Sequence, residues 1–336
     1  MKFASGGGGS IPPFYEVLGY ASGTSSPQTV SGISSSYENL MILASGSATA
    51  SGYRFALRFN GNSDSIYTSR LNSNNSSDSL ETGDDMMNIG EADMQGSGFS
   101  VVWMSAIADY GKQTTYRTIR DDGTASTDIP SSVTGIGSWQ NEGDAVSSVT
   151  LLNGAGSGDC NPCQLVVLGY NKDATSGTTA WKQLATETIS SDGDSFSLTF
   201  DKEQYLWVNL FNIYNATGDI TMKFNGTTGN EYAERYADDF GSDATNDNKG
   251  GIDSNYGAVA GNSFHNYWIY NLASLPKEVI YNYTIQKGGA SNAPENLFAY
   301  GKWANTSDQI ESLTVTAGGG NFKAGSYCTV WGFTPT

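Results

Sequence analysis

Apolar and polar residues alternate with a period of two along much of this chain. Tyr53, Phe55, Leu57 and Phe59 take turns with Arg54, Ala56, Arg58 and Asn60, the pattern of a strand with one buried face. Ile220, Met222 and Phe224 alternate with Thr221, Lys223 and Asn225 in the same way. An Asn-Gly dipeptide follows each of these strands and predicts a hairpin turn. Leu40-Met41-Ile42-Leu43 and Leu206-Trp207-Val208 are apolar at every position, which predicts central strands covered on both faces. Further strands are expected over residues 99–106, 114–120, 146–152 and 164–170. No segment keeps a 3.6-residue period, so no helix is expected. Two polar stretches, 72–81 and 238–255, read as long surface loops.

The pattern occurs twice. Phe59-Asn60-Gly61 returns as Phe224-Asn225-Gly226, 165 residues later (59 to 224). Tyr67, Arg70, Trp103, Lys112 and Tyr116 return at the same offset as Tyr232, Arg235, Trp268, Lys277 and Tyr281. Trp139 and Asp144 match Trp303 and Asp308, and Leu168-Gly169-Tyr170 matches Trp331-Gly332-Phe333. Collinear matches with so little drift in offset identify two divergent copies of one unit. The division that follows is a Gly-rich arm over 1–13, a β-sandwich domain over 14–170, a polar linker over 171–180 and a second β-sandwich domain over 181–336. Short strands separated by turn clusters suit an all-β pair of tandem jelly-roll or sandwich domains.

Composition narrows the function. The chain has 336 residues, with 17 Lys and Arg against 34 Asp and Glu, a formal net charge of −17. That balance argues against a nucleic-acid binder, which needs a dense basic face. One His and three Cys exclude a multi-His zinc site and a disulfide-dense scaffold. Met1-Lys2-Phe3-Ala4-Ser5 leads into four glycines rather than an apolar run, so we expect no secretory signal and no membrane insertion. Synthesis in a host cytoplasm is the corresponding expectation. The sequons at Asn215, Asn225 and Asn305 then read as turn residues.

Each candidate for chemistry has a plainer structural explanation. Cys160-Asn161-Pro162-Cys163 is a CxxC with no βαβ context and no second pair, which favours a turn with two thiols or a local disulfide. Cys328 falls in the matching last strand of the second copy and is expected to be buried. His265 has Ser100 as its counterpart, so we read it as a core or interface residue. Asp238, Asp239, Asp243, Asp247 and Asp253 form an acidic segment without EF-hand spacing. We read that segment as solvated rather than as a Ca²⁺ site, and expect no cofactor. No carboxylate pair is common to the copies except Asp144 and Asp308, which look like turn residues. Residues shared by both copies are expected to maintain the fold, and recognition to lie where the copies differ. Tyr236 and Tyr256 are the candidate ligand-facing aromatics, suited to stacking on sugar rings. Gly6–Gly9 lacks the Gly-Lys-Ser/Thr of a phosphate loop. It reads as a flexible arm whose Phe3, Ile11 and Phe14 are candidate assembly contacts.

The ordered set Tyr15-Glu16, Tyr37, Arg54–Asn60, Asp109-Tyr110-Gly111-Lys112 with Tyr116, and Val167-Leu168-Gly169-Tyr170 resembles a family of β-sandwich virion proteins encoded by tailed phages. The second copy follows the same order, with Leu275-Pro276-Lys277 in place of the Asp-Tyr-x-Lys element. The resemblance implies a structural protein of the particle, not an enzyme. It suggests a capsid decoration protein on the virion exterior that binds other virion proteins, forms homo-oligomers and displays loops. A tail fibre or tail-associated protein that binds a host surface glycan is the alternative, and a polysaccharide depolymerase is a more distant one. The net negative charge suits an outer surface.

Overall fold

The computed structural model describes residues 15–74, 78–90, 94–121, 123–155, 158–171, 179–214, 218–238, 243–254, 261–287 and 295–336. Their regular structure is β throughout. The first domain contains β1 (Glu16–Gly23), β2 (Gln28–Ser31), β3 (Asn39–Tyr53), β4 (Phe55–Phe59), β5 (Tyr67–Ser73), β6 (Asp78–Asp84), β7 (Met87–Asn88), β8 (Met94–Ser105), β9 (Lys112–Arg120), β10 (Ser131–Trp139), β11 (Ser148–Asn153) and β12 (Cys160–Tyr170). The second contains β13 (Lys182–Thr188), β14 (Ser195–Thr199), β15 (Tyr205–Tyr214), β16 (Ile220–Phe224), β17 (Tyr232–Asp238), β18 (Asp243–Lys249), β19 (Ile252–Ser254), β20 (Gly261–Tyr270), β21 (Lys277–Lys287), β22 (Glu295–Trp303), β23 (Ser312–Ala317) and β24 (Tyr327–Phe333).

Each domain is a sandwich of an eight-stranded and a four-stranded sheet. The orders are β1-β12-β3-β8-β9-β10-β5-β6 over β2-β11-β4-β7, and β13-β24-β15-β20-β21-β22-β17-β18 over β14-β23-β16-β19. Within the first domain, the sets β1-β12-β3-β8 and β2-β11-β4-β7 have jelly-roll order. The hairpins β5-β6 and β9-β10 are insertions that widen the larger sheet beyond β8. The second domain repeats this plan strand for strand.

Three features depart from the sequence-based expectations. Residues 72–81 and 238–255 are not simply loops, because β5-β6 and β17-β18 are hairpins at the sheet edge. The outermost strands face solvent widely, so they carry no apolar alternation for the sequence to reveal. The strand expected over residues 53–60 breaks at Arg54, which separates β3 from β4. The Asn-Gly pairs do not close hairpins either, since β4 and β5 lie in different sheets. Asn60 and Gly61 hold φ of 53° and 64°, and Asn225 and Gly226 hold 50° and 64°, so these left-handed residues turn the chain from one sheet to the other. The Asn60 carboxamide oxygen accepts from Ser147 N at 2.7 Å and Ser148 N at 3.1 Å. Asn225 does the same with Glu311 N and Ser312 N at 2.9 and 3.1 Å. In both copies the corner is tied to the start of a strand in the smaller sheet.

The residues shared by the copies build this frame. Tyr67 and Tyr232 accept the Phe59 and Phe224 backbone N–H at 3.0 and 2.8 Å. Trp139 and Trp303 are buried beside them. Lys112 and Lys277 are buried under these indoles, 5.6 and 5.7 Å from the ring centroids. Their ammonium groups are capped by backbone carbonyls, Tyr110 and Asn141 in one copy and Leu275 and Asn305 in the other, all at 2.8 Å. Arg70 pairs with Asp78, and Arg235 with Asp243, across the two edge hairpins.

A third core joins the domains. The outer faces of the two larger sheets pack on each other through Met41, Leu43, Phe99, Val101, Ile119, Val166 and Leu168 on one side. Tyr205, Tyr270, Ile280, Tyr300 and Phe333 meet them from the other, with Trp181 at the margin. This explains the doubly apolar strand Leu40–Leu43: Leu40 and Ile42 point into the first domain's own core, whereas Met41 and Leu43 point at the second domain. Phe99 sits 6.1 Å from Tyr205 and 5.8 Å from Tyr270, ring to ring. With so much apolar surface shared, the domains are expected to unfold together. Urea denaturation followed by far-UV circular dichroism should therefore give one transition. Phe99→Ala should lower its stability by about 3–5 kcal/mol.

Candidate functional site

The residues singled out in the sequence do not gather at one place. Tyr236 is on strand β17, not on a loop, and packs against the second domain's core. Tyr256, Phe3, Ile11 and Phe14 lie outside the described residues, as does Asp239. Asp243 pairs with Arg235. Asp253 accepts from Thr221 Oγ1 at 2.6 Å and pairs with Lys249 at 2.7 Å, and Asp247 is exposed. Among the described residues, no three His, Cys, Asp or Glu side chains converge as a metal site would. Asp144 and Asp308 close matching turns with Asn141 and Asn305. Asn225 and Asn305 are turn residues, as expected.

His265 lies inside the second core on β20, fully buried. Its Nε2 is 2.6 Å from Ser263 Oγ and 3.0 Å from Asn212 Nδ2. Burial pushes its pKa down to about 3, so the ring is neutral across the physiological range. With no solvent access it serves as a core polar residue. Cys160 and Cys163 form a disulfide at an irregularity in the β12–β3 ladder. Cys328 is a buried thiol whose pKa is raised by burial.

The unusual electrostatics lie between the domains. Lys302 on β22 and Asp121, just after β9, form an ion pair at 2.7 Å with side chains 0 % and 2 % exposed. Lys302 also donates to the Gly123 carbonyl at 3.0 Å. Glu278 stands directly opposite Lys302 on the neighbouring strand β21 and is fully buried. Neither of its oxygens has a well-formed hydrogen bond, although Ser97 faces it. The ammonium thus pairs with Asp121, while Glu278 is buried beside it without an ion pair of its own. Desolvation raises the Glu278 pKa well above its ordinary value and that of Asp121 to about 6. A polar ladder continues the junction: Gln164 Oε1 accepts from Gln204 Nε2 and from Tyr270 OH, each at 2.7 Å, and Ser45 and Tyr205 hydroxyls are 2.9 Å apart. Single-sequence reading missed Glu278, Lys302 and Asp121. The available signal was a Lys-Glu pair opening an otherwise apolar strand.

Two surfaces remain open beside this junction. On the first domain, Tyr15, Trp103 and Tyr170 line a groove of about 440 Å³ with Asn39, Gln113 and Thr115. Trp103 meets Trp268 edge to face at 5.3 Å. On the second domain, the outer face runs on from Trp268 into two cross-strand rows that partly reach solvent. Thr329, Asn209, Asn266 and Asn282 are in register across β24, β15, β20 and β21. Tyr327, Phe211, Phe264 and Thr284 form the next row. Phe264 and Tyr327, on either side of Phe211, are 42 % and 38 % exposed, a large apolar exposure within one row.

No family model matches the chain, and no curated protein matches it. Among solved structures it aligns with the LG4-5 domains of the mouse laminin alpha1 chain at 10% identity and a TM-score of 0.20, covering 98% of this chain and 93% of that one. That superposition is too loose to bear on fold or function.

The buried Glu278 makes a pH prediction. Its folded pKa exceeds its unfolded value, so its contribution to stability is fully present below the unfolded pKa and is lost as pH rises through the folded one. Asp121 shifts in the same direction. His265 shifts oppositely and loses stability as pH falls below its unfolded value. Glu278→Gln removes only the first effect. The stability difference between Glu278→Gln and wild type should grow in the variant's favour from pH 5 to pH 8, by up to about 1.4 kcal/mol per pH unit. Chemical denaturation at a series of pH values measures it.

Proposed function

We propose that this chain is a structural, non-enzymatic protein of the exterior of a tailed-phage particle, a capsid decoration protein in the first instance. It would bind neighbouring virion proteins, self-associate and turn its remaining surface outward. The observation that carries this reading is the fused pair of jelly rolls. Two copies of one unit pack a sheet face of each against the other, and the side chains they share are consumed in corners, caps and buried rings. Such a body is suited to a mechanical role, in which neighbours bind a rigid shape. The sequence resemblance to tailed-phage virion proteins supplies the particle, and the net charge of −17 suits a surface turned away from packaged DNA. A tail-associated, glycan-binding role is the second reading, favoured by the open aromatic row beside an asparagine row.

Immunogold labelling of purified particles tests the placement. Gold is expected on the capsid exterior. Label on the tail would favour the second reading, and particles free of label would overturn both. A chain lacking residues 1–13 is expected to fold normally, as judged by circular dichroism, yet to be absent from the particles. Normal incorporation would remove the arm from the account.

A further inference from the structure

The two copies use the same sheet face differently. In the first domain Leu43, Val101 and Val166 form a row across β3, β8 and β12, buried against the second domain. The next row holds Ser45, Phe99 and Gln164, which meet Tyr205 and Tyr270. At the equivalent positions the second domain has Asn209, Asn266 and Thr329, followed by Phe211, Phe264 and Tyr327. The apolar row has become polar, with two carboxamides and a threonine, and the three residues that follow have become aromatic.

This exchange decides what can lie there. A dry protein contact would desolvate the amide row, at a cost of roughly 1–3 kcal/mol for each group left unpaired. Apolar residues, as in the first copy, would serve such a contact better. Asn209 and Asn266 are tied to each other by one hydrogen bond of 2.8 Å. Each carboxamide has more donor and acceptor capacity than that single bond uses. Phe211 and Tyr327 stack at 5.5 Å with planes 28° apart, and Phe264 continues the row on the other side of Phe211. The 5.5 Å between the Phe211 and Tyr327 rings is close to the length of one pyranose unit. From β13 to β22 the rows themselves hold no charged side chain, their outer members being Thr186, Thr188, Phe298 and Asn296, and the Arg117 guanidinium of the first domain closes one end, 4.0 Å from the Phe298 ring. In a chain with a net charge of −17, an uncharged strip rejects neither sign strongly and offers nothing to an ionic ligand.

We propose that the outer face of β24, β15, β20 and β21 binds an uncharged polysaccharide chain. The rings of Tyr327, Phe211 and Phe264 lie against the apolar faces of successive sugars. The carboxamides of Asn209, Asn266 and Asn282 exchange hydrogen bonds with the hydroxyl groups along one edge of the chain. The inference does not depend on where in a particle the protein sits.

A glycan array probed with the full chain, followed by calorimetry with neutral hexasaccharides from the strongest class, tests it. Neutral glycans are expected to bind in preference to sialylated or sulfated ones. Phe264→Ala and Tyr327→Ala, on exposed positions, should each weaken binding at least tenfold with unchanged circular dichroism. Asn266→Leu, which restores the first copy's kind of residue, should weaken it too. Tyr110→Ala, exposed on the first domain, should leave it unchanged. Absence of binding to every neutral glycan would overturn the proposal, as would binding indifferent to all three face variants. Self-association by sedimentation that Asn266→Leu strengthens and Phe264→Ala abolishes would also overturn it, and would make the face a contact between copies.

Discussion

A buried lysine–aspartate ion pair across the domain junction sets the terms for this molecule. Lys302 reaches out of the second domain into the first, pairs with Asp121 and stands opposite Glu278. Such an arrangement is costly in a dry interior unless geometry and packing around it are good. The surrounding rings of Phe99, Tyr205, Tyr270 and Tyr300 and the ladder from Gln164 to Tyr205 supply that packing. The apolar contact provides most of the attraction, because burial is roughly proportional to area removed from water. The charged group adds register, since a slide of one residue along either sheet would strand the ammonium.

That junction divides the labour between the copies. The jelly-roll frame is common property: Asn-Gly corners, a tyrosine hydroxyl capping the strand end, and a lysine sealed beneath a tryptophan. The outer sheet face diverges. In the first copy it is apolar and covered. In the second it is covered at one end, through Tyr205, Tyr270, Ile280 and Phe333, and open at the other, where asparagines and aromatic rings alternate by row. A duplicated fold thereby gains a rigid base and a free face from one surface.

Much of the fold was legible in the sequence, and the reasons are local. Period-two alternation identifies β4 and β16 because one face of each meets its own core. The double-sided apolar run Leu40–Leu43 announces a covered strand, though not that a second domain does the covering. The edge hairpins escaped because β6 and β18 are polar on both sides, and the Asn-Gly corners misled because a left-handed turn serves equally to change sheets. His265 lies in the core and the CxxC closes a local disulfide, both among the readings the sequence offered. The open face was invisible for a different reason. It depends on cross-strand register among residues far apart in the chain, such as Phe211, Phe264 and Tyr327. Tyr236, picked for its neighbours in sequence, turned out to face the core.

The central claim is that the two jelly rolls form one energetic unit through their shared face. A double-mutant cycle across the junction tests it most directly, using Asp121→Asn, Lys302→Met and the double variant, with stability read by urea denaturation. If the domains are coupled as described, the two substitutions will be non-additive by roughly 1–3 kcal/mol. Additivity within about 0.5 kcal/mol would contradict the account and leave two sandwiches that merely share a chain.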